Sequence, residues 1–173
     1  MLEIRYETVP SPVGPLFLAD SDAGPLAVLF ADDHPEATHL RWLRTRYPDS
    51  ALTSAPCPQI SEKLARFFVG QDERVQMHAE LAGSDFEREV WTEISRIPFG
   101  GTLSYGAIAR SIGQPQASRA VGMATGRNPV AILIPCHRVV GSDGSMTGYG
   151  GGLPRKRWLL AHESGDLFLP EQM

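Results

Sequence analysis

Apolar positions in the first 30 residues fall into short extended runs, Glu3 to Val9, Pro15 to Ala19 and Leu26 to Phe30, separated by Ser-Pro, Val-Gly and Ala-Gly-Pro turn signals. An antiparallel meander is expected. The pattern then changes period: Pro35 to Tyr47 reads as a helix, and Ile60, Leu64, Phe67 and Phe68 recur at helical spacing before Gly70 ends a second one. One more extended piece, Val75 to Glu80, precedes Ala82-Gly83. This half predicts an α/β scaffold without visible chemistry.

From Ser84 the signals sharpen. Ser84-Asp85-Phe86-Glu87 has capping-box spacing, and Phe86, Val90 and Ile94 share one helical face behind it. A domain boundary is therefore placed at Gly83, giving units 1–83 and 84–173. Pro98-Phe99-Gly100-Gly101 breaks the chain. A helix from Ser104 to Ile112, a turn at Gly113-Gln114 and a helix from Pro115 to Gly126, with proline at its first position, outline a helix-turn-helix. In the second of these helices Arg119 stands among Ser118, Ala120, Gly122 and Ala124, so one long cation projects from small neighbours. Tight packing with a solvated arginine accounts for that pattern as well as close approach to a partner does. After Asn128-Pro129, the run Val130 to Ile134 predicts a buried extended segment that delivers Pro135-Cys136-His137-Arg138. The tail from Ser164 to Met173 is expected to be poorly ordered.

Composition narrows the class. The 173 residues are 42% hydrophobic, enough for a sizeable core. No run has the length of a membrane span, and the acidic start lacks the features of a signal peptide, so a soluble protein that is not exported is expected. The net charge of −4 argues against a polyanionic partner until its distribution is read. Residues 1–84 carry seven basic and twelve acidic side chains, whereas residues 94–162 carry eight basic ones against Asp143 alone. A small domain facing nucleic acid would show that asymmetry; so would a surface charged only for solubility.

The two cysteines, Cys57 in SAPCPQ and Cys136 in IPCHRVV, do not suggest a disulfide framework, and neither has a second cysteine at metal-ligand spacing. No metal and no cofactor are expected. Cys136 beside His137 is a candidate nucleophile and base, since the thiolate is the reactive form and an imidazole can assist its formation. In an extended chain the two side chains would point apart, so a bridging water could be required. Arg138 and a helix N-terminus are candidates for lowering the thiol pKa. An inert buried cysteine remains the competing reading.

Several motifs in order decide between these readings. SYGAIA, SRAVGMATGRNP, IPCHRVVG and TGYGGGLPRKRWLLAHE together closely resemble the O6-alkylguanine-DNA alkyltransferases, strongly from Ser84 to Glu163 and more loosely before that. The resemblance implies an α+β protein: an amino-terminal α/β domain with a small antiparallel, ribonuclease-H-like sheet, and a mostly helical, winged-helix-like carboxy-terminal domain. It implies direct repair of DNA by irreversible, single-turnover transfer of the alkyl group of O6-alkylguanine, and of O4-alkylthymine, to Cys136. His137 would act as base through a water, with Glu163 orienting it. Tyr105 would crowd the rotating phosphate and donate to guanine N3. Arg119 would enter the duplex through the minor groove in place of the flipped base, with Ser104, Ala120, Gly122 and Arg127 also facing DNA. Asn128 would tie the helix-turn-helix to the reactive loop. Val139, through its carbonyl, Tyr149 and the Gly150 N–H would wall the pocket. Where some relatives carry serine, Gly150 would leave more room for large alkyl groups.

The resemblance also implies a cytoplasmic protein working on the nucleoid, monomeric in solution and able to cluster on double-stranded DNA. The zinc ligands and extra metal-bound cysteine domain of some relatives are not visible here. Two rivals from other classes remain: a lesion sensor that binds without rapid transfer, and a cysteine hydrolase of small substrates for which Arg119 is incidental.

Overall fold

The structure is a computed structural model that describes residues 1–165 except 33, 76 and 79. Strands β1 (Leu2–Val9), β2 (Leu16–Ser21) and β3 (Gly24–Phe30) form the expected antiparallel meander. Helix α1 (Glu36–Arg46) follows, then a strand the apolar pattern does not announce, β4 (Ser50–Ser54). β4 pairs parallel to β1, so the sheet is mixed, in the order β3-β2-β1-β4. Its sequence, SALTS, has too little apolar alternation to read as a strand; pairing with β1 makes it one. Helix α2 (Pro58–Phe68) buries Ile60, Leu64 and Phe67. The segment expected to be extended at 75–80 is not a strand in its described residues; residues 76 and 79 lie outside them.

Ser84 caps α3 (Asp85–Ser95) with both halves of a capping box. Strand β5 (Leu103–Ser104) runs into α4 (Tyr105–Ser111), whose N-cap is the Ser104 side chain, accepting from the Ala107 N–H. Gly113, at φ +72°, turns the chain as only glycine does easily. Helix α5 (Ser118–Gly126) then starts three residues later than expected, so Pro115 lies in the connection rather than at the first helical position.

The larger correction lies at 130–134. These residues are buried, but they form a tight turn in which the Ile134 N–H donates to the Val130 carbonyl and Ile132 sits at φ +71°. A β-branched residue there costs on the order of 1–3 kcal/mol and persists only where surroundings enforce it. They do so from the sheet: the Val28 N–H donates to the Pro129 carbonyl at 2.9 Å, and the Ala131 N–H donates to the Val28 carbonyl at 3.1 Å. Burial alone cannot distinguish such a turn from a strand.

Residues Cys136–Arg138 form one 3-10 turn, followed by β6 (Val139–Val140), which pairs parallel with β5. Helix α6 (Leu153–Ser164) ends at Gly165 in the left-handed conformation. Ser164 is thus helical, and the rest of the predicted loose tail, 166–173, lies outside the described residues.

One apolar core joins the two halves, with Leu16, Leu18 and Val28 of the sheet in the same cluster as Val90, Trp91, Ile94, Val130–Ile134 and Leu159. Trp91 fills its centre and donates from its indole nitrogen to the Ala124 carbonyl at 2.8 Å, fixing α3 to α5. A Cβ on Gly83 would lie 2.5 Å from the Trp91 ring. Gly83→Ala is therefore expected to lower stability by about 1–3 kcal/mol through overpacking, read as an earlier urea midpoint; an unchanged midpoint would show that Trp91 can shift freely.

Candidate active site

Four short elements converge on Cys136. The β5–β6 pair brings the start of α4, and so Tyr105, beside the reactive turn. Asn128, just past α5, donates from Nδ2 to the Ile134 carbonyl at 2.7 Å and accepts the Val130 N–H on Oδ1 at 2.9 Å. One side chain thereby closes the 128–134 turn from inside and couples it to the end of α5.

A cavity of about 610 Å³ opens in front of Cys136, within the range of small-molecule sites. Tyr105, Gly122, Asn128, Tyr149 and Gly150 line it together with the cysteine. The facing wall comes from the other half of the chain and includes Phe30 at the end of β3 and Thr38, His39 and Trp42 on α1. A Cβ on Gly150 would meet nothing within 4 Å. Gly150 is part of the lining, so a side chain at that position would stand in open space at the cavity wall. Val139 is fully buried and is not part of the lining; its carbonyl accepts from Lys156 Nζ at 2.6 Å.

Behind the cysteine is a buried ionic cluster. His137 Nε2 lies 2.6 Å from Glu163 Oε1, and Glu163 Oε2 accepts the Gly100 N–H at 3.0 Å. Arg138 does not approach the thiol as expected. Its Nε donates to both Glu163 oxygens at 2.9 and 3.0 Å, its Nη1 donates to the Ile97 carbonyl at 2.6 Å, and Nη2 stands 3.5 Å from Asp72. Burial pushes the Glu163 carboxyl up, but the hydrogen bonds from His137 and Arg138 outweigh it, so the net shift is below the ordinary carboxylate value. Burial lowers the His137 pKa, and although Glu163 pulls it upward, the Arg138 charge works with burial to keep it below 6.5. The neutral imidazole must then place its one proton on Nε2, facing the carboxylate. Nδ1, buried and without a hydrogen-bond partner among the described residues, is left as the acceptor.

The thiol follows the same logic. Burial raises the Cys136 pKa; hydrogen bonding from Asn128, the Lys156 ammonium and Tyr149 pull it back without reversing the shift. Cys136 at rest is a protonated thiol at the floor of a cavity, next to a neutral base. Cys57 is also buried, with its pKa pushed by burial up to about 12, and is inert.

Of the other predicted residues, Arg119 lies outside the cavity, in a neighbouring groove with Ser118 and Thr147 that shares Tyr105 and Gly122 with it. Ala120 is exposed on α5, Ser104 serves as the α4 cap, and Arg127 is exposed with Nη1 3.3 Å from Glu87.

Comparison with known proteins matches this arrangement. The family description 6-O-methylguanine DNA methyltransferase, DNA binding domain, fits residues 85–165. The methylated-DNA–protein-cysteine methyltransferase of Mycolicibacterium paratuberculosis is 44% identical over 164 residues, 92% of each chain, and that of Salmonella typhimurium is 38% identical over 94% of this chain and 97% of its own. The chain belongs to this methyltransferase family. Among solved structures, Mycobacterium tuberculosis OGT in complex with DNA superposes with a TM-score of 0.76 at 37% identity, covering 95% of this chain and 94% of that one. The hyperthermophilic O6-methylguanine-DNA methyltransferase of Pyrococcus kodakaraensis gives 0.70 at 25% identity, covering 92% and 98%.

Within this methyltransferase, sequence reasoning missed Lys156 and misplaced Arg138. A signal for Lys156 was present: Lys156, Leu159 and Glu163 recur at i, i+3 and i+7, one face of α6, and all three are buried. A lysine and a glutamate on the stripe of a core leucine mark buried charge. No local pattern marked Arg138 as the partner of Glu163, since the pairing closes across 25 residues. The cluster makes Glu163 structural as well as chemical. Glu163→Gln leaves the Arg138 charge underneutralised and is expected to cost about 3–5 kcal/mol at neutral pH. Because the folded carboxyl is held below 4.5, that advantage is present above the unfolded value and lost as pH falls through the folded one. Urea denaturation of both proteins should show the gap closing below pH 4.5; a gap independent of pH would refute the ionised assignment.

Proposed function

We propose that this protein repairs DNA directly by moving the alkyl group of O6-alkylguanine onto Cys136, once per molecule. The observation that carries the reading is Cys136 in the cavity lining, followed by a His137 that is tied to Glu163 through Nε2 and whose Nδ1 has no hydrogen-bond partner among the described residues; burial favours the neutral thiol and the neutral imidazole. In the proposed step a water relays the thiol proton to His137 Nδ1. The sulfur attacks the alkyl carbon, the carbon–O6 bond breaks, and its electron pair stays on the guanine. The imidazolium that forms is stabilised by Glu163, and its proton returns through water to the departing base. The product is a stable thioether and an ordinary guanine. Tyr105, which lines the cavity and whose hydroxyl lies 3.4–3.5 Å from Thr147, is the proposed donor for guanine N3 as the leaving charge develops.

Duplex DNA is the proposed partner, bound on its minor-groove side by α5, with Arg119 filling the place of the flipped nucleotide. Ser104, Ala120, Gly122 and Arg127 border that face. The Gly150 N–H and the Tyr149 ring are the proposed pocket contacts; Val139 acts through its backbone behind Lys156. Residues 84–173 would form the DNA-binding and reactive unit and 1–83 the scaffold, with α1 completing the pocket. O4-alkylthymine is a second proposed substrate. The protein would work as a monomer on cytoplasmic DNA, able to cluster along it. No helix among the described residues is long and apolar enough to cross a membrane, and no group of side chains among them could hold a metal ion.

Intact-protein mass after incubation with O6-methylguanine duplex should rise by one methylene, about 14 Da, saturate at one per molecule and vanish in Cys136→Ala. Lesion binding without mass gain would favour the sensor reading, and turnover on small esters without DNA the hydrolase reading. The pKa directions add a second test. A neutral base below 6.5 and a thiol above 9.0 predict a single-turnover rate, at saturating DNA, that is level between those limits and falls only as pH drops through the His137 value. A tenfold rise per pH unit across that window would instead mean that free thiolate attacks unaided.

A further inference from the structure

Helix α5 buries Val121, Ala124 and Thr125 and turns the opposite face outward. Arg119 lies on that outer face, and four residues on, one turn along the same side, is Met123. Met123 is 56% exposed, although a methionine is ordinarily at home in a core. Its neighbours on the face are small or cationic: Ala120, Gly126 and Arg127, all exposed. The helix thus offers one flexible apolar chain between two long cations, Arg119 and Arg127, with small residues beside it.

On the reading that this face meets duplex DNA, we propose that Met123 is a second wedge residue, which enters the minor groove beside Arg119 and holds open the base step next to the vacated position. The spacing suits this. Four residues of helix advance about 6 Å, under two base steps at about 3.4 Å each, so the two side chains reach adjacent steps of one stack. The chemistries divide the task. A guanidinium can hydrogen-bond the orphaned partner base and the phosphates and can stack on a base face, but its flat, polar head does not fill an irregular apolar gap. An unbranched thioether fills an irregular apolar gap and makes favourable contacts with ring faces, as inserted apolar side chains of minor-groove proteins do when they unstack a step. Exposure of Met123 in the free protein then has a reason, because its burial is deferred to the complex.

The test compares Met123→Ala, Met123→Leu and Arg119→Ala with the parent protein, all with Cys136 intact. Three readouts are used: single-turnover transfer from O6-methylguanine duplex, transfer from free O6-benzylguanine base, and fluorescence of 2-aminopurine next to the lesion. The expected result is a fall of about tenfold in the duplex rate and a smaller fluorescence rise for Met123→Ala, recovery within about twofold for Met123→Leu, and no change with the free base, which needs no flipping. A duplex rate for Met123→Ala within about twofold of the parent, or an equal loss on duplex and free base, overturns the wedge. If Arg119→Ala slows the duplex reaction and Met123→Ala does not, the wedge fails and the DNA-facing reading of α5 stands; if neither does, that reading fails as well.

Discussion

The electrostatics of the site behind Cys136 turn on one buried carboxylate, Glu163. Glu163 takes hydrogen bonds or ion pairs from His137, Arg138 and the Gly100 N–H, with the Glu163, His137 and Arg138 side chains all buried. Because Arg138 is charged at every relevant pH, it already neutralises the carboxylate. The imidazole is left with a well-placed acceptor but little net attraction for a second proton. Had Glu163 faced His137 alone, the pair would have favoured an imidazolium, which cannot accept a proton from a thiol. Burial first, and then the Arg138 charge on the far side of the carboxylate, keep His137 in its neutral, proton-accepting form.

The same cluster explains part of the charge asymmetry between the halves. The basic surplus of residues 94–162 does not all face outward: Arg138 and Lys156 are fully buried, Arg155 pairs with Asp32 and Arg127 with Glu87. Arg110, Arg119 and Arg157 remain exposed without an ion pair among the described residues. Correspondingly, Asp32 and Asp72 from the acidic half meet Arg155 and Arg138. Some of the acid in one half is there for the base in the other. Phe67 of α2 packs edge-on to His137, with centroids 6.1 Å apart, and β3 clips the 128–134 turn by two hydrogen bonds. The amino-terminal half therefore enforces the backbone on which the cysteine is presented and supplies the α1 wall of the cavity.

What could be read in the sequence was what local physics determines. The capping box at Ser84, the glycine turn at Gly113 and the three-strand meander depend on neighbours within a few residues and stand where the patterns put them. β4 escaped because its stability comes from pairing with β1, and the 130–134 turn was misread because a fully buried apolar run carries no periodicity to distinguish coil from strand. Cys136, Tyr105, Asn128, Tyr149 and Gly150 were assembled by resemblance to a family, and the structure brings them to one cavity. Arg138, Lys156 and α1 were not found in their roles, because each acts through a contact far along the chain.

The raised thiol pKa then reads as part of the design rather than an obstacle to it. A resting thiolate would react with any small electrophile that reached the cavity, and a protein consumed by one thioether bond would be exhausted by such accidents. In the proposed mechanism, holding the sulfur protonated makes reaction conditional on several things at once: a base in its neutral form, a relay to it, and a leaving group whose charge Tyr105 would meet. Burial, which opposes the thiolate in the empty site, also strengthens every favourable dipole once the purine excludes the remaining water. On that mechanism the resting site need not be reactive, because its reactivity is completed by the lesion.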